Sequence, residues 1–147
     1  MKVLLVSSCG GHWVEMMRTR PAFEGHQLFY ASTDASYAEH NPERPFYTIP
    51  EASRWSKPRL VWQALVCFVV ILRVRPDVLL TTGASVGFFS LVFAKWLGAK
   101  TIWLDSIANA TELSMSGQKA GRHADLFLTQ WPELERPNGP VFEGAVI

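Results

Sequence analysis

Three short apolar runs constrain this chain more than any other feature: "VLLV" at 3–6, "DVLLTT" at 77–82 and "KTIWLD" at 100–105. Their hydrophobicity is continuous rather than alternating, so each suits a strand buried on both faces. Each is followed by Gly, Ser or Thr and then by a helical stretch. That alternation is the βαβ rhythm of a parallel sheet covered by helices. It predicts strands at Val3–Ser7, Gln27–Ala31, Phe46–Ile49, Val78–Thr82, Thr101–Asp105 and Leu126–Thr129. Helices are predicted at about His12–Arg20, Leu60–Val74, Gly87–Leu97 and Leu113–Arg122. The expected fold class is α/β, a doubly wound parallel sheet, in one domain over residues 1–147. Ligands of such a sheet meet the carboxyl ends of its strands, at the switch point in strand order.

Composition adds a demand that the fold alone leaves unmet. Hydrophobic residues reach 48%, with six Trp and nine Phe, more than the interior of so small a domain hides. A partner chain or a bilayer surface is expected to cover the excess. The net charge of +1 points to neither nucleic acid nor an acidic partner. Cys9 and Cys67 fit no metal spacing and no disulfide framework, which suits a reducing cytoplasm. His12, His26, His40 and His123 are scattered, so no metal is expected. Met1 leads straight into a strand, which predicts no signal peptide.

Three stretches fall at carboxyl ends of strands. The first is "SSCGGHWVEM", residues 7–16, the second "TTGASVGFF", residues 81–89, and the third "WLDSIANATELSMSG", residues 103–117. Glycine lets backbone N–H groups approach a ligand, and a helix start favours an anion. In the second stretch Gly83 permits a tight turn and Gly87 is expected to open the next helix. Two such turns side by side would suit a diphosphate or a carbohydrate. His12, in the glycine turn, is either a proton acceptor and phosphate partner or a loop and capping residue. Asp105 is either a capping or ribose-binding acid or a general base, and Glu15 suits the positive helix end.

Several established motifs are excluded. The dinucleotide fingerprint fails because no third glycine follows Gly10-Gly11 in place, and Trp13 is too bulky for close helix–strand contact. No Gly-Lys-Ser/Thr occurs, and Glu15 stands where a cysteine phosphatase loop needs Arg. Cys9 is expected to be a small buried residue, although a thiol near a helix start also invites a lowered pKa.

"SKPRLVWQALVCFVVILRVRPD", residues 56–77, is the other unusual segment. Leu60 to Leu72 is apolar at every position but Gln63, yet too short to span a bilayer. Arg54, Lys57, Arg59, Arg73 and Arg75 flank it, with no acid between Glu51 and Asp77. This suits a helix dipping into an anionic leaflet, with Arg59, Trp62, Phe68 and Arg73 as membrane contacts. The alternative is a core helix covered by protein on all sides.

The stretches at 7–16, 81–90 and 102–117, followed by "ADLFLTQWPEL" and "VFEG", together resemble the small subunit of two-piece GT-B glycosyltransferases. In eukaryotes that subunit belongs to the GlcNAc transferase adding the second sugar of dolichol-linked oligosaccharide. Bacterial relatives serve capsule and exopolysaccharide assembly. More distantly, the chain is similar to the N-terminal half of the GlcNAc transferase that makes lipid II, which also opens with a turn ending in Gly-Gly-His.

The resemblance implies one of two Rossmann-like halves, the acceptor side, active only with a small UDP-sugar-binding partner subunit. The donor would be a UDP-sugar and the acceptor a polyprenyl-diphosphate-linked saccharide at the cytoplasmic membrane face. No cofactor or metal is implied. Gly10, Gly11 and His12 match the first glycine turn, and Thr82, Gly83 and Ser85 the second. Asp105 and Ser106 stand at the acid-Ser position, Ser114 to Gly117 in the Ser-x-Ser-Gly run, and Gln130-Trp131 at a strand end. The eukaryotic pattern has Glu where Asp105 stands, a basic residue near Asn109, and usually an N-terminal membrane-spanning segment. These departures favour a bacterial polysaccharide role. His12 or Asp105 is the base, and the glycine turns, with Ser106 and Asn109, bind phosphate or substrate. The competing readings are a non-catalytic membrane anchor for a catalytic partner and an unrelated nucleotide-binding enzyme.

Overall fold

A computed structural model of the chain describes residues 1–146. Its elements, in order, are β1 (Lys2–Ser7), α1 (Gly11–Thr19), β2 (Gln27–Ser32), β3 (Phe46–Thr48), α2 (Lys57–Val74), β4 (Val78–Thr81), α3 (Ala84–Trp96), β5 (Lys100–Leu104), α4 (Met115–Ala120), β6 (Leu126–Thr129) and β7 (Val141–Phe142). The strands pair in the order β3-β2-β1-β4-β5-β6-β7, all parallel. Strand order reverses between β1 and β4, so a cleft opens where these two strands end.

Strand alternation sorts the core into two layers. Leu4, Val6, Leu79 and Trp103 face α2 and α3, while Val3, Leu5 and Leu80 face α1 with Trp13 and Met16. Both layers are closed at β1, whose residues 3 to 7 are all buried, as a central parallel strand requires.

The expected strands all form, with no end shifted by more than one residue. Helix starts differ more, for identifiable reasons. α2 begins at Lys57, because Pro58 sits in the first turn, where a missing N–H costs nothing. It stops at Arg75, left-handed at φ 48 and followed by Pro76. α3 begins at Ala84, so Gly87 lies within the helix rather than opening it. A Cβ on Gly87 would stand 2.1 Å from Thr81 Oγ1, so glycine here lets α3 press onto the end of β4. α4 is shorter than expected because Ser114 caps it, accepting from Gly117 N–H at 2.9 Å.

α2 turns only one stripe inward. Cys67, Val70, Ile71 and Val74 are buried at helical spacing, the two valines and the isoleucine each worth roughly 1.5–3 kcal/mol on full burial. Val61, Trp62, Leu65, Phe68, Val69 and Leu72 stay exposed on the opposite side. Coverage by protein on all sides is therefore not what the described residues provide. The α1 side of the sheet is also incompletely covered: Leu80, Ile102, Leu104, Leu126 and Leu128 line a depression of about 420 Å³ bordered by residues 143–146. Cys9, expected to be buried, is exposed, while Cys67 is buried. Cys9 lies in the open turn between β1 and α1, where no element packs over it.

Candidate functional site

β1 hands over to α1 through a turn at 8–10. Gly10 adopts φ +76, which a side chain would strain, and Cβ atoms on Gly10 or Gly11 would meet nothing within 4 Å. The turn thus faces open space. Neither α1 nor α3 has a side-chain cap or an acid in its first turn. Two sets of helix-start N–H groups are therefore left to solvent or ligand at the ends of neighbouring strands, with the positive ends of both helix dipoles.

His12 joins the two turns. Its Nδ1 is 2.7 Å from Ser8 Oγ, and Thr82 Oγ1 donates to its carbonyl oxygen at 2.6 Å. Its Nε2 reaches across to the second turn, 3.1 Å from where a Cβ on Gly83 would stand. Gly83 itself is at φ +138, and Ala84 follows at φ +64, a left-handed conformation that costs a non-glycine residue roughly 1–2 kcal/mol. Ser85 turns toward α2: its hydroxyl donates to Gln63 Oε1 at 2.7 Å, and buried Gln63 donates to the Pro50 carbonyl at 2.9 Å.

Asp105 is placed differently from His12. It is 1% exposed, and four donors surround its carboxylate. Trp103 Nε1 (3.0 Å) and Ser114 Oγ (2.6 Å) donate to Oδ1. Ser114 N–H (3.0 Å) and Asn109 Nδ2 (3.3 Å) donate to Oδ2. A carboxylate offers about four acceptor sites, so none is left for a substrate proton. Asp105 organises the 105–117 loop, and the geometry opposes the base role considered for it. Ser106 is buried and its Oγ accepts from Ala108 N–H at 3.2 Å. Half-buried Asn109 gives one Nδ2 hydrogen to Asp105, so both residues take part in holding the 105–117 loop.

Glu15 is the residue whose importance the sequence concealed. One turn after His12, it is only 4% exposed. Its Oε1 accepts from Ile107 N–H at 2.8 Å and Gln130 Nε2 at 2.9 Å, while Oε2 has no hydrogen-bond partner. Gln130 also donates to the Asp105 carbonyl at 3.0 Å and accepts from Val146 N–H at 2.9 Å. Glu15 thus ties α1 to the loop after β5 and to the end of β6. Tyr37 is a second missed residue: its hydroxyl accepts from Gly10 N–H at 2.9 Å, and its ring stacks on Trp13 at 4.3 Å. The sequence placed Glu15 only at a positive helix end, because its partners are remote along the chain; nothing in the sequence marked Tyr37.

The four expected membrane contacts lie on α2. Arg59 and Arg73 are exposed near its two ends, Trp62 is 58% exposed, and Phe68 packs edge-on against Phe93. No described helix is long and apolar enough to cross a membrane. Among the described residues no cluster of three His, Cys, Asp or Glu could hold a metal ion.

Known proteins can now be set beside this geometry. The family model described as "Oligosaccharide biosynthesis protein Alg14 like" matches residues 2–142. UDP-N-acetylglucosamine transferase subunit ALG14 of Mus musculus is 24% identical, over 100% of this chain and 83% of its own length. The Homo sapiens protein of the same name is 26% identical over the same shares. In structure, Acinetobacter baumannii MurG is similar at TM-score 0.78 and 13% identity, over 100% of this chain and 46% of MurG. A UDP-N-acetylglucosamine 2-epimerase from Rickettsia bellii follows at TM-score 0.73 and 13% identity, over 99% of this chain and 45% of the epimerase. The chain therefore spans just under half of those two structures, and at that identity they establish the fold: a Rossmann-like sheet equivalent to the N-terminal half of a GT-B enzyme.

Proposed function

The chain belongs to the Alg14-like family of oligosaccharide biosynthesis proteins, and on that premise we propose that it is the acceptor-side half of a two-chain inverting glycosyltransferase. The partner chain supplies the half that holds the UDP-sugar, of GlcNAc, hexose or glucuronate type. The acceptor is a polyprenyl-diphosphate-linked saccharide at the cytoplasmic face of the membrane, in bacterial polysaccharide assembly. Relationship to glycosyltransferase subunits and the chain's span of just under half of MurG support this reading. So does the open apolar depression beside Leu126, where the partner docks. The exposed face of α2 meets the bilayer.

The observation that carries the chemistry is the placement of His12 between two uncapped helix starts. With the Nδ1 proton given to Ser8 Oγ, Nε2 keeps its lone pair and faces the cleft. It takes the proton of the acceptor hydroxyl as that oxygen attacks the anomeric carbon. The bond from that carbon to the UDP oxygen breaks, and configuration inverts. First-turn N–H groups of α1 and α3 meet diphosphate charge, on the leaving group or the acceptor.

Co-expression with the tagged chain, followed by recovery from membrane and soluble fractions, tests the assembly. A small UDP-sugar-binding protein recovered with the membrane fraction is expected; a soluble chain without a partner overturns the two-chain reading. In the recovered complex, His12→Ala should lower turnover about 10²-fold or more while retaining the partner. Unchanged turnover removes His12 from the base role.

A further inference from the structure

We propose that the groove between α2 and α3 holds the first isoprene units of the acceptor's polyprenyl tail, an inference that rests on the acceptor reading above. The groove is lined by Leu60, Ala64 and Phe68 of α2 and by Phe89, Phe93 and Trp96 of α3, and is an open trough of about 440 Å³. At about 30 Å³ for each small molecule of a liquid, it accommodates roughly fifteen heavy atoms, the size of three isoprene units.

Its chemistry selects the occupant. Almost no polar atom lines it, so a peptide strand laid there would leave backbone N–H and C=O groups unpaired. A hydrocarbon chain carries no such cost. Leu60 to Phe68 and Phe89 to Trp96 each cover about two helical turns, roughly 10–12 Å of groove at 1.5 Å per residue, so the occupant lies along the helices. Phe93 meets both Phe68 and Trp96 edge-to-face, at 5.2 and 5.5 Å, which leaves ring faces for branched methyl groups.

Its position joins it to the cleft. Both helices start at the carboxyl edge of the sheet, so the Leu60–Phe89 end of the groove is the end nearer the two glycine turns. There Ser85, of the second turn, bonds Gln63 of α2 directly. Lys57 and Arg59 stand exposed at that end of α2, and Arg54 reaches Met115 at the start of α4. A diphosphate headgroup held at the turns thus lies at the same edge of the sheet as these cations, with an apolar channel leading away. Arg73 and Arg75 put cations at the far end of α2 as well, so it is the Ser85–Gln63 link from groove to cleft that favours the acceptor tail over a bilayer acyl chain.

The test uses the full chain with its co-purified partner, on vesicles of phosphatidylethanolamine and phosphatidylglycerol. One probe is farnesyl diphosphate with a diazirine on the terminal isoprene; the second is a phospholipid with a diazirine in one acyl chain. Photolabelled residues are mapped by peptide mass spectrometry. Isoprenoid label on Phe89, Phe93 or the 60–68 segment is expected, competed by unlabelled farnesyl diphosphate and about tenfold weaker in Ala64→Trp, where the added ring denies the chain even two carbons of burial. Competition on the natural chain decides the matter if that variant does not fold. Isoprenoid label confined to the glycine turns overturns the groove and leaves the acceptor reading standing. Isoprenoid label nowhere on the chain overturns both. Groove labelling by the phospholipid that farnesyl diphosphate does not displace assigns the groove to the bilayer and overturns the inference.

Discussion

His12 and Gly83 lie so close across the cleft that a single added methyl group would touch the imidazole: a Cβ on Gly83 would stand 3.1 Å from Nε2 and 3.3 Å from Cδ2. The two glycine turns are one unit through this pair. Gly83→Ala should therefore injure function twice, by straining a backbone at φ +138 and by pushing the ring. Its stability cost should be about 1–3 kcal/mol, with turnover of the assembled enzyme falling further than the thermal shift accounts for. Melting and turnover measured on the same preparation separate the two effects.

Asp105→Asn keeps the side-chain shape but replaces one accepting oxygen with an NH2 group facing existing donors. The cost should be about 2–4 kcal/mol, with the 106–117 loop opened to proteolysis. Turnover of whatever folds should remain within about tenfold of normal, since a positioning residue and not the base is altered. A folded Asp105→Asn protein with turnover down by about 10³ would return Asp105 to catalysis.

Leu126 is 42% exposed at the rim of the open depression on the α1 side. Leu126→Asp should leave the melting temperature nearly unchanged and weaken partner recovery by about 30-fold, the roughly 2 kcal/mol of an interface anchor. Undiminished recovery would place the partner elsewhere.

Arg59 and Arg73 bracket the exposed apolar face of α2. Arg59→Glu and Arg73→Glu should each weaken binding to anionic vesicles at least fivefold, given about 1 kcal/mol per basic residue near such a surface. The loss should shrink at high salt and be absent on neutral vesicles. Sedimentation across a salt series reads both.

The two thiols should behave oppositely. At pH 8, iodoacetamide should modify exposed Cys9 rapidly and leave Cys67 untouched until the chain unfolds. Burial pushes the Cys67 thiol up to about 11 from an ordinary 9.0. Between those values the unfolded chain releases the proton while the folded chain keeps it. Stability should therefore be complete below about pH 9 and decline by ~2 kcal/mol toward pH 11, and Cys67→Ser should flatten that decline.

The sheet was readable because buried parallel strands are continuous apolar runs, as in "VLLV" and "DVLLTT", each leading into a glycine turn. β7 was not, since Val141 and Phe142 become a strand only by pairing with Leu128 and Thr129. Gly87 misled because a glycine that admits close packing looks the same in sequence as one that starts a helix. The site divides along the same line. The placement of His12 at the cleft was legible because its setting is local, a glycine turn before a helix. The fate of Asp105 was not, because its donors Trp103, Asn109 and Ser114 converge only when the loop closes. Glu15 was illegible for a stronger version of that reason: its partners Ile107 and Gln130 are 92 and 115 residues away along the chain.

The two incompletely covered apolar surfaces lie on opposite sides of one sheet, Val61 to Leu72 on the α2 side and the Leu126 depression on the α1 side. Lipid on one and protein on the other do not compete, and both leave the carboxyl edge of the strands free. If α2 rests on the bilayer as proposed, that edge opens sideways, parallel to the lipid plane. On the proposed function, a lipid-borne substrate drifting in two dimensions would then reach His12 without leaving the surface, while a water-soluble donor would arrive from above on the partner. The sheet would then serve as a partition between two solvents, with the reaction placed along its rim.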